Sequence, residues 1–151
     1  MVSVALDHDV FHANRHTNQD NKENIMTTQI NWFEIPVTDL PRAAKFYETV
    51  LAAKLNITCV VPAASEPSMA IFNNAAGQSA GCLLISDAAK PTSDGVLVYL
   101  YAGPSIQNAI DRIVPAGGKI VLDKLELPNQ LGYIARFIDT EGNRVALHAM
   151  Q

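Results

Sequence analysis

The chain has 151 residues, 48% of them hydrophobic and 17% charged, with a net charge of −4. That length and balance suit one globular domain with a sizeable core and exclude a disordered chain. The acidic balance leaves no basic stripe to neutralise phosphates, so nucleic acid is not expected as a partner, and apolar runs such as Gly95 to Ala102 are too short to span a bilayer.

Residues 1–26 are rich in Asn, His and Asp and carry little apolar periodicity, which predicts a flexible tail. Met26 could serve as an alternative start. A helix would place His8, His12 and His16 on one face fit for a transition metal, but nothing in the segment supports a stable helix, and an unstructured polar segment is expected. Asp7, His8 and Asp9 stand where an exported chain would carry an apolar leader, so a cytoplasmic location is expected. The folded domain is expected over 27–151.

From Ile30 the pattern becomes regular. Ile30 to Val37 alternates as a strand, with Phe33, Ile35 and Val37 on one face and Trp32, Glu34 and Pro36 on the other. Thr38-Asp39-Leu40-Pro41 reads as a helix start. Ala43, Phe46, Tyr47, Val50 and Leu51 then form one buried stripe. Lys54 to Val61, Met69 to Phe72 and Gly81 to Ser86 read as strands separated by turn residues. Cys59 and Cys82 lie in these apolar runs at a spacing that matches no metal or redox motif, and reduced core thiols are expected.

Lys90 to Gly95 reads as a linker, after which the order repeats. Val96 to Ala102 is a strand, and Gly103-Pro104-Ser105 opens a helix with the stripe Ile106, Ala109, Ile110 and Ile113. Pro115 and Gly117-Gly118 end it. Lys119 to Leu125, Tyr133 to Ile138 and Arg144 to Ala149 complete the set. The expectation is an α+β fold: two tandem βαβββ modules, about 30–86 and 95–149, forming a curved mixed sheet around a cleft.

Alternation selects the side chains that would line the cleft. Trp32 and Glu34 point away from the first helix, Ala146 and His148 away from the second, and Leu97, Tyr99 and Tyr101 follow the same rule. Pairing across the turn at 139–144 would set Phe137 near Ala146 and Ala135 near His148, which sends Arg136 to the helix side or an edge. Trp32, Tyr99, Tyr101, Tyr133 and Phe137 would form an aromatic wall, with core packing as the alternative for each. Leu125 to Gly132 is a candidate lid or an ordinary connection.

The opening Asn31-Trp32-Phe33-Glu34-Ile35-Pro36-Val37-Thr38-Asp39-Leu40 with Ala43-Ala44-Lys45-Phe46-Tyr47, and the closing Gly132 to Arg144, resemble the vicinal oxygen chelate superfamily of glyoxalase I, bleomycin-resistance proteins and extradiol dioxygenases. The resemblance implies two βαβββ modules, a cleft site and a homodimer. Metal-dependent members carry ligands at positions that here hold Trp32, Leu83 or Leu84, Leu97 or Val98, and Ala146. None of these binds a divalent cation, so no metal or other cofactor is expected. Glu34 and His148 remain as the chemical residues. If they meet, they could do acid–base work as in a glyoxalase-like lyase or isomerase, or hold a weak, water-completed metal. A structural pair is the alternative, and a dioxygenase would need the missing facial ligands. The leading expectation is a metal-independent cleft that binds a small, partly aromatic molecule. A vestigial cleft on an interaction module is the third reading.

Overall fold

A computed structural model describes residues 30–59, 68–74 and 76–151. The expected tail, its His8, His12 and His16, and Pro62 and Pro67 lie outside the described residues. The elements run β1 (Glu34–Pro36), α1 (Leu40–Leu51), β2 (Asn56–Thr58), β3 (Met69–Asn73) and β4 (Ser79–Leu84), then β5 (Tyr99–Tyr101), α2 (Ile106–Ile113), β6 (Lys119–Glu126), β7 (Tyr133–Ile138) and β8 (Arg144–Ala149). They build two four-stranded mixed sheets of the same design, β1-β4-β3-β2 and β5-β8-β7-β6. In each, the first strand runs parallel to the last and the other pairs are antiparallel. This is the tandem βαβββ fold. Among the described residues no helix is long and apolar enough to cross a membrane.

Local chemistry explains the helices. Asp39 caps α1 by accepting the Arg42 N–H at 2.9 Å, and Pro41 fits the first turn, where no donor is needed. Ala43, Phe46, Tyr47 and Val50 are buried as one stripe, and the helix stops where Ala52 turns left-handed at φ 50°. Leu51 stays only half-buried at that end. In α2 the stripe Ile106, Ala109, Ile110 and Ile113 is fully used. Each large side chain so buried contributes about 1.5 to 3 kcal/mol.

β1 and β5 are shorter than the alternating runs that contain them. Each is the outer strand of its sheet and pairs on one side only. Single bonds extend the ladders, Cys82 N–H to Phe33 O at 3.0 Å and Ala146 N–H to Val98 O at 3.0 Å. Val96 is 94% exposed and lies beyond the ladder.

One register differs from the sequence reading. β7 and β8 pair Phe137 with Val145, Arg136 with Ala146 and Ile134 with His148. The pairing is one residue away from the expected one because the five-residue turn 139–143 closes on an Asp139 N–H to Asn143 O bond of 2.9 Å. A slip of one inverts the faces of β7. Phe137 therefore points to the helices, is 0% exposed, and packs against Phe46 and Tyr47 with ring centroids 5.8 and 6.4 Å away.

The turn also fastens the modules together. Buried Asp139 accepts the Tyr47 hydroxyl at 2.7 Å and the Asn143 backbone N–H at 2.8 Å. Asn143 donates to Pro36 O at 2.9 Å and accepts from the Thr92 N–H at 3.0 Å. Glu141 takes the Thr38 and Asp39 N–H groups at 3.0 and 3.1 Å, the Thr38 hydroxyl at 2.8 Å and the Arg42 Nε at 2.8 Å. A carboxylate from the second module thus completes the N-terminus of the first helix.

Candidate functional site

The helix-free faces of the two sheets carry the candidate residues. On the first, Glu34 lies beside Cys82 and Pro36 beside Leu84. Trp32 Nε1 donates to Glu34 Oε1 at 3.4 Å. Cys82 is 0% exposed although it sits on this face. Burial, with the nearby Glu34 charge, pushes its thiol up to about 11, so it is inert as a nucleophile at neutral pH. On the second face, Tyr99 lies beside Ala146 and Tyr101 beside His148.

Glu34 and His148 are each bound to something else. His148 Nε2 lies 2.7 Å from the Leu131 carbonyl oxygen, which can only accept, so Nε2 carries the proton. Among the described residues no ion pair links His148 to Glu34. The two belong to different sheets.

The aromatic set divides. Trp32, Tyr99 and Tyr101 are 39%, 41% and 71% exposed. Tyr133 and Phe137 are not on this face, because the observed register turns both toward the helices. Tyr133 packs against the core, with Lys124 Nζ 4.1 Å from its ring centroid. The same register corrects Arg136. It lies beside Ala146, and its Nη2 donates to the Tyr99 hydroxyl at 3.2 Å.

Among the described residues a hollow forms between the first module and the strand β5 of the second. It holds about 510 Å³ and is lined by Phe33, Leu51, Leu55, Phe72, Tyr99 and Tyr101, with Lys54, Asn73 and Asn74 among its polar groups. Glu34 lines a smaller hollow of about 240 Å³ with Val96, Val98 and Arg144. Phe33, Leu51, Leu55 and Phe72 escaped the sequence reading because their apolar positions read as core. The available signal was α1 itself: its stripe ends at Leu51, so apolar residues beyond it lack a helical cover.

The donor set does not fit a divalent metal. Leu83 is 0% exposed within the core and Val98 packs against it, so the positions on the open face are Trp32, Leu84, Leu97 and Ala146. Among the described residues no three His, Cys, Asp or Glu side chains converge. A strongly perturbed carboxylate lies elsewhere, at Glu141. Its burial alone would raise the carboxyl, but the Arg42 hydrogen bond and the donors of Thr38 and Asp39 prevail and hold it at about 2.

Comparison with known proteins adds a family. The family model for the glyoxalase/bleomycin resistance protein/dioxygenase superfamily matches residues 29–147. No curated protein matches the chain. Among solved structures, a glyoxalase/bleomycin resistance protein/dioxygenase family enzyme from Burkholderia phytofirmans PsJN is 12% identical. The match covers 82% of this chain and 100% of that one, with a TM-score of 0.58. TioX from Micromonospora sp. ML1 is 18% identical over 82% and 100% of the two chains, with a TM-score of 0.58. A glyoxalase-related enzyme from Fulvimarina pelagi is 13% identical over 82% and 88%, with a TM-score of 0.57. At such identity these likenesses concern the fold alone.

Proposed function

The chain belongs to the glyoxalase/bleomycin resistance protein/dioxygenase superfamily, and from that premise we propose that it binds a small, partly aromatic molecule without a protein-held metal. The observation that carries this reading is the hollow of about 510 Å³ between the modules, walled by Phe33, Phe72, Tyr99 and Tyr101. Its volume lies in the range of small-molecule sites, and its walls are mostly apolar with a few polar groups among them. Aromatic rings there offer stacking surface, and the tyrosine hydroxyls offer polar handles.

Acid–base catalysis by Glu34 and His148 draws no support from the geometry, since each holds a different partner. The same separation argues against a joint metal site at that pair. The proposed setting is the cytoplasm and the proposed state a homodimer, the state that the family resemblance implies. Light scattering on the purified chain tests the dimer.

Binding is tested by thermal melting with a panel of neutral bicyclic aromatic molecules, before and after dialysis against a chelator. The expected result is a rise in melting temperature that survives dialysis and is lost in Phe72→Asp. The reading fails if no compound raises the melting temperature, or if stabilisation requires added zinc or nickel.

A further inference from the structure

We propose that the row Tyr99, Ala146 and Arg136 on the open face of the second sheet binds an oxyanion, the carboxylate or phosphate of the same molecule whose apolar body occupies the groove. This rests on the groove reading above and adds the charge of its ligand.

The row is set by register. Tyr99 of β5 and Arg136 of β7 both lie beside Ala146 of β8, on either side of it. Alanine is short enough for the Arg136 side chain to cross above it and reach the Tyr99 hydroxyl at 3.2 Å. Arginine only donates, so the Tyr99 oxygen accepts and the phenolic proton stays available to an incoming acceptor. Tyr99 also lines the apolar groove, whereas Arg136 lines a neighbouring hollow of about 390 Å³ with Arg144, Leu122 and Asp94. The tyrosine is therefore the bridge between a flat apolar wall and a cation.

Among the described residues the strand partners beside Arg136 carry no charge, Leu122 of β6 on one side and Ala146 of β8 on the other. The open-face positions of β5, β8 and β7 are Tyr99 and Tyr101, then Arg144, Ala146 and His148, then Ile134, Arg136 and Ile138. None is a carboxylate, in a chain whose net charge is −4. Among the described residues Arg136 makes no ion pair. Among the described residues its Nε is buried without a hydrogen-bond partner, which calls for an acceptor there, an ordered water or a ligand oxygen. A small turn of the guanidinium would present Nε and Nη2 as a fork, the geometry that carboxylate and phosphate oxygens match. Asp94 also lines that hollow and would repel an anion near it, which favours one oxyanion held between Arg136 and the Tyr99 hydroxyl.

Calorimetric titration with 1-naphthoate, 1-naphthyl phosphate and neutral 1-naphthamide tests this, together with inorganic phosphate. The wild type is expected to bind at least one aromatic anion about tenfold or more tighter than the amide, and the preference should shrink as salt rises. Which anion leads distinguishes a carboxylate ligand from a phosphate one. Arg136→Gln should bring the preference below about twofold, with binding of the amide retained. Ala146→Glu, which sets a carboxylate between Tyr99 and Arg136, should do the same, so the test does not depend on one variant folding. Equal binding of amide and anions by the wild type would overturn the anion site and leave the aromatic groove standing. Binding of inorganic phosphate lost in Arg136→Gln, with no binding of any naphthyl compound, would support the anion site and sink the groove. A preference that persists in both variants, or no binding of any probe, would overturn the proposal.

Discussion

At the scale of single residues, the motif that most resembles a family signature does structural work. Asp139, Glu141 and Asn143 hold the turn and the start of α1. Glu141 titrates near 2 in the folded protein against an ordinary 4.5. A depressed folded value means the stabilisation is complete above about 4.5 and is lost as pH falls toward 2. Glu141→Gln should cost about 2 kcal/mol at pH 7, because charge-assisted bonds to the helix end are weakened. The gap to wild type should narrow steadily below pH 4.5. Urea unfolding of both proteins from pH 7 to pH 3 checks this, and a constant gap would contradict it. None of this coupling was legible in the chain, because Glu141 and Thr38 lie far apart in sequence and only the packed modules bring them together. The faces of Trp32, Glu34, Tyr99 and His148 were legible, since alternation along a strand is a local property.

At the scale of elements, both helices and the strands β7 and β8 follow their sequence patterns closely, because caps, apolar stripes and turn residues all agree there. The failure was the β7–β8 register. Turn composition announces a hairpin but does not count its loop, and one residue decided whether Arg136 or Phe137 faces the helices. The hairpin between β6 and β7 has its own fixed point. Gly132 has φ +82°, and a Cβ there would run into the Ala149 carbonyl, whereas Gly77 at φ +76° has open space around it. Gly77→Ala should therefore cost only about 1 kcal/mol of backbone strain, and Gly132→Ala clearly more, about 2 to 4 kcal/mol, as the β7 end is pushed off β8. Chemical denaturation of the two variants separates strain from collision. Equal losses would mean the contact with Ala149 is easily relaxed.

At the scale of the molecule, the repeat was legible because each half repeats its order of strand, helix-opening proline and apolar stripe. The groove was not, because its walls come from both halves, Phe33, Leu51, Leu55 and Phe72 from the first and β5 from the second, and belong to neither alone. Its walls combine core-type residues, Phe33 and Phe72, with open-face residues, Tyr99 and Tyr101. The resemblance to a metal-enzyme superfamily thus holds for the architecture, while Trp32, Leu84, Leu97 and Ala146 occupy the places where metal ligands would stand. The most direct test is NMR shift mapping of the chelator-treated protein titrated with 1-naphthamide. Perturbations are expected to concentrate at Phe33, Leu51, Leu55, Phe72, Tyr99 and Tyr101 and to stay unchanged when zinc is added. Perturbations scattered over the surface, or appearing only with zinc, would contradict the metal-independent groove.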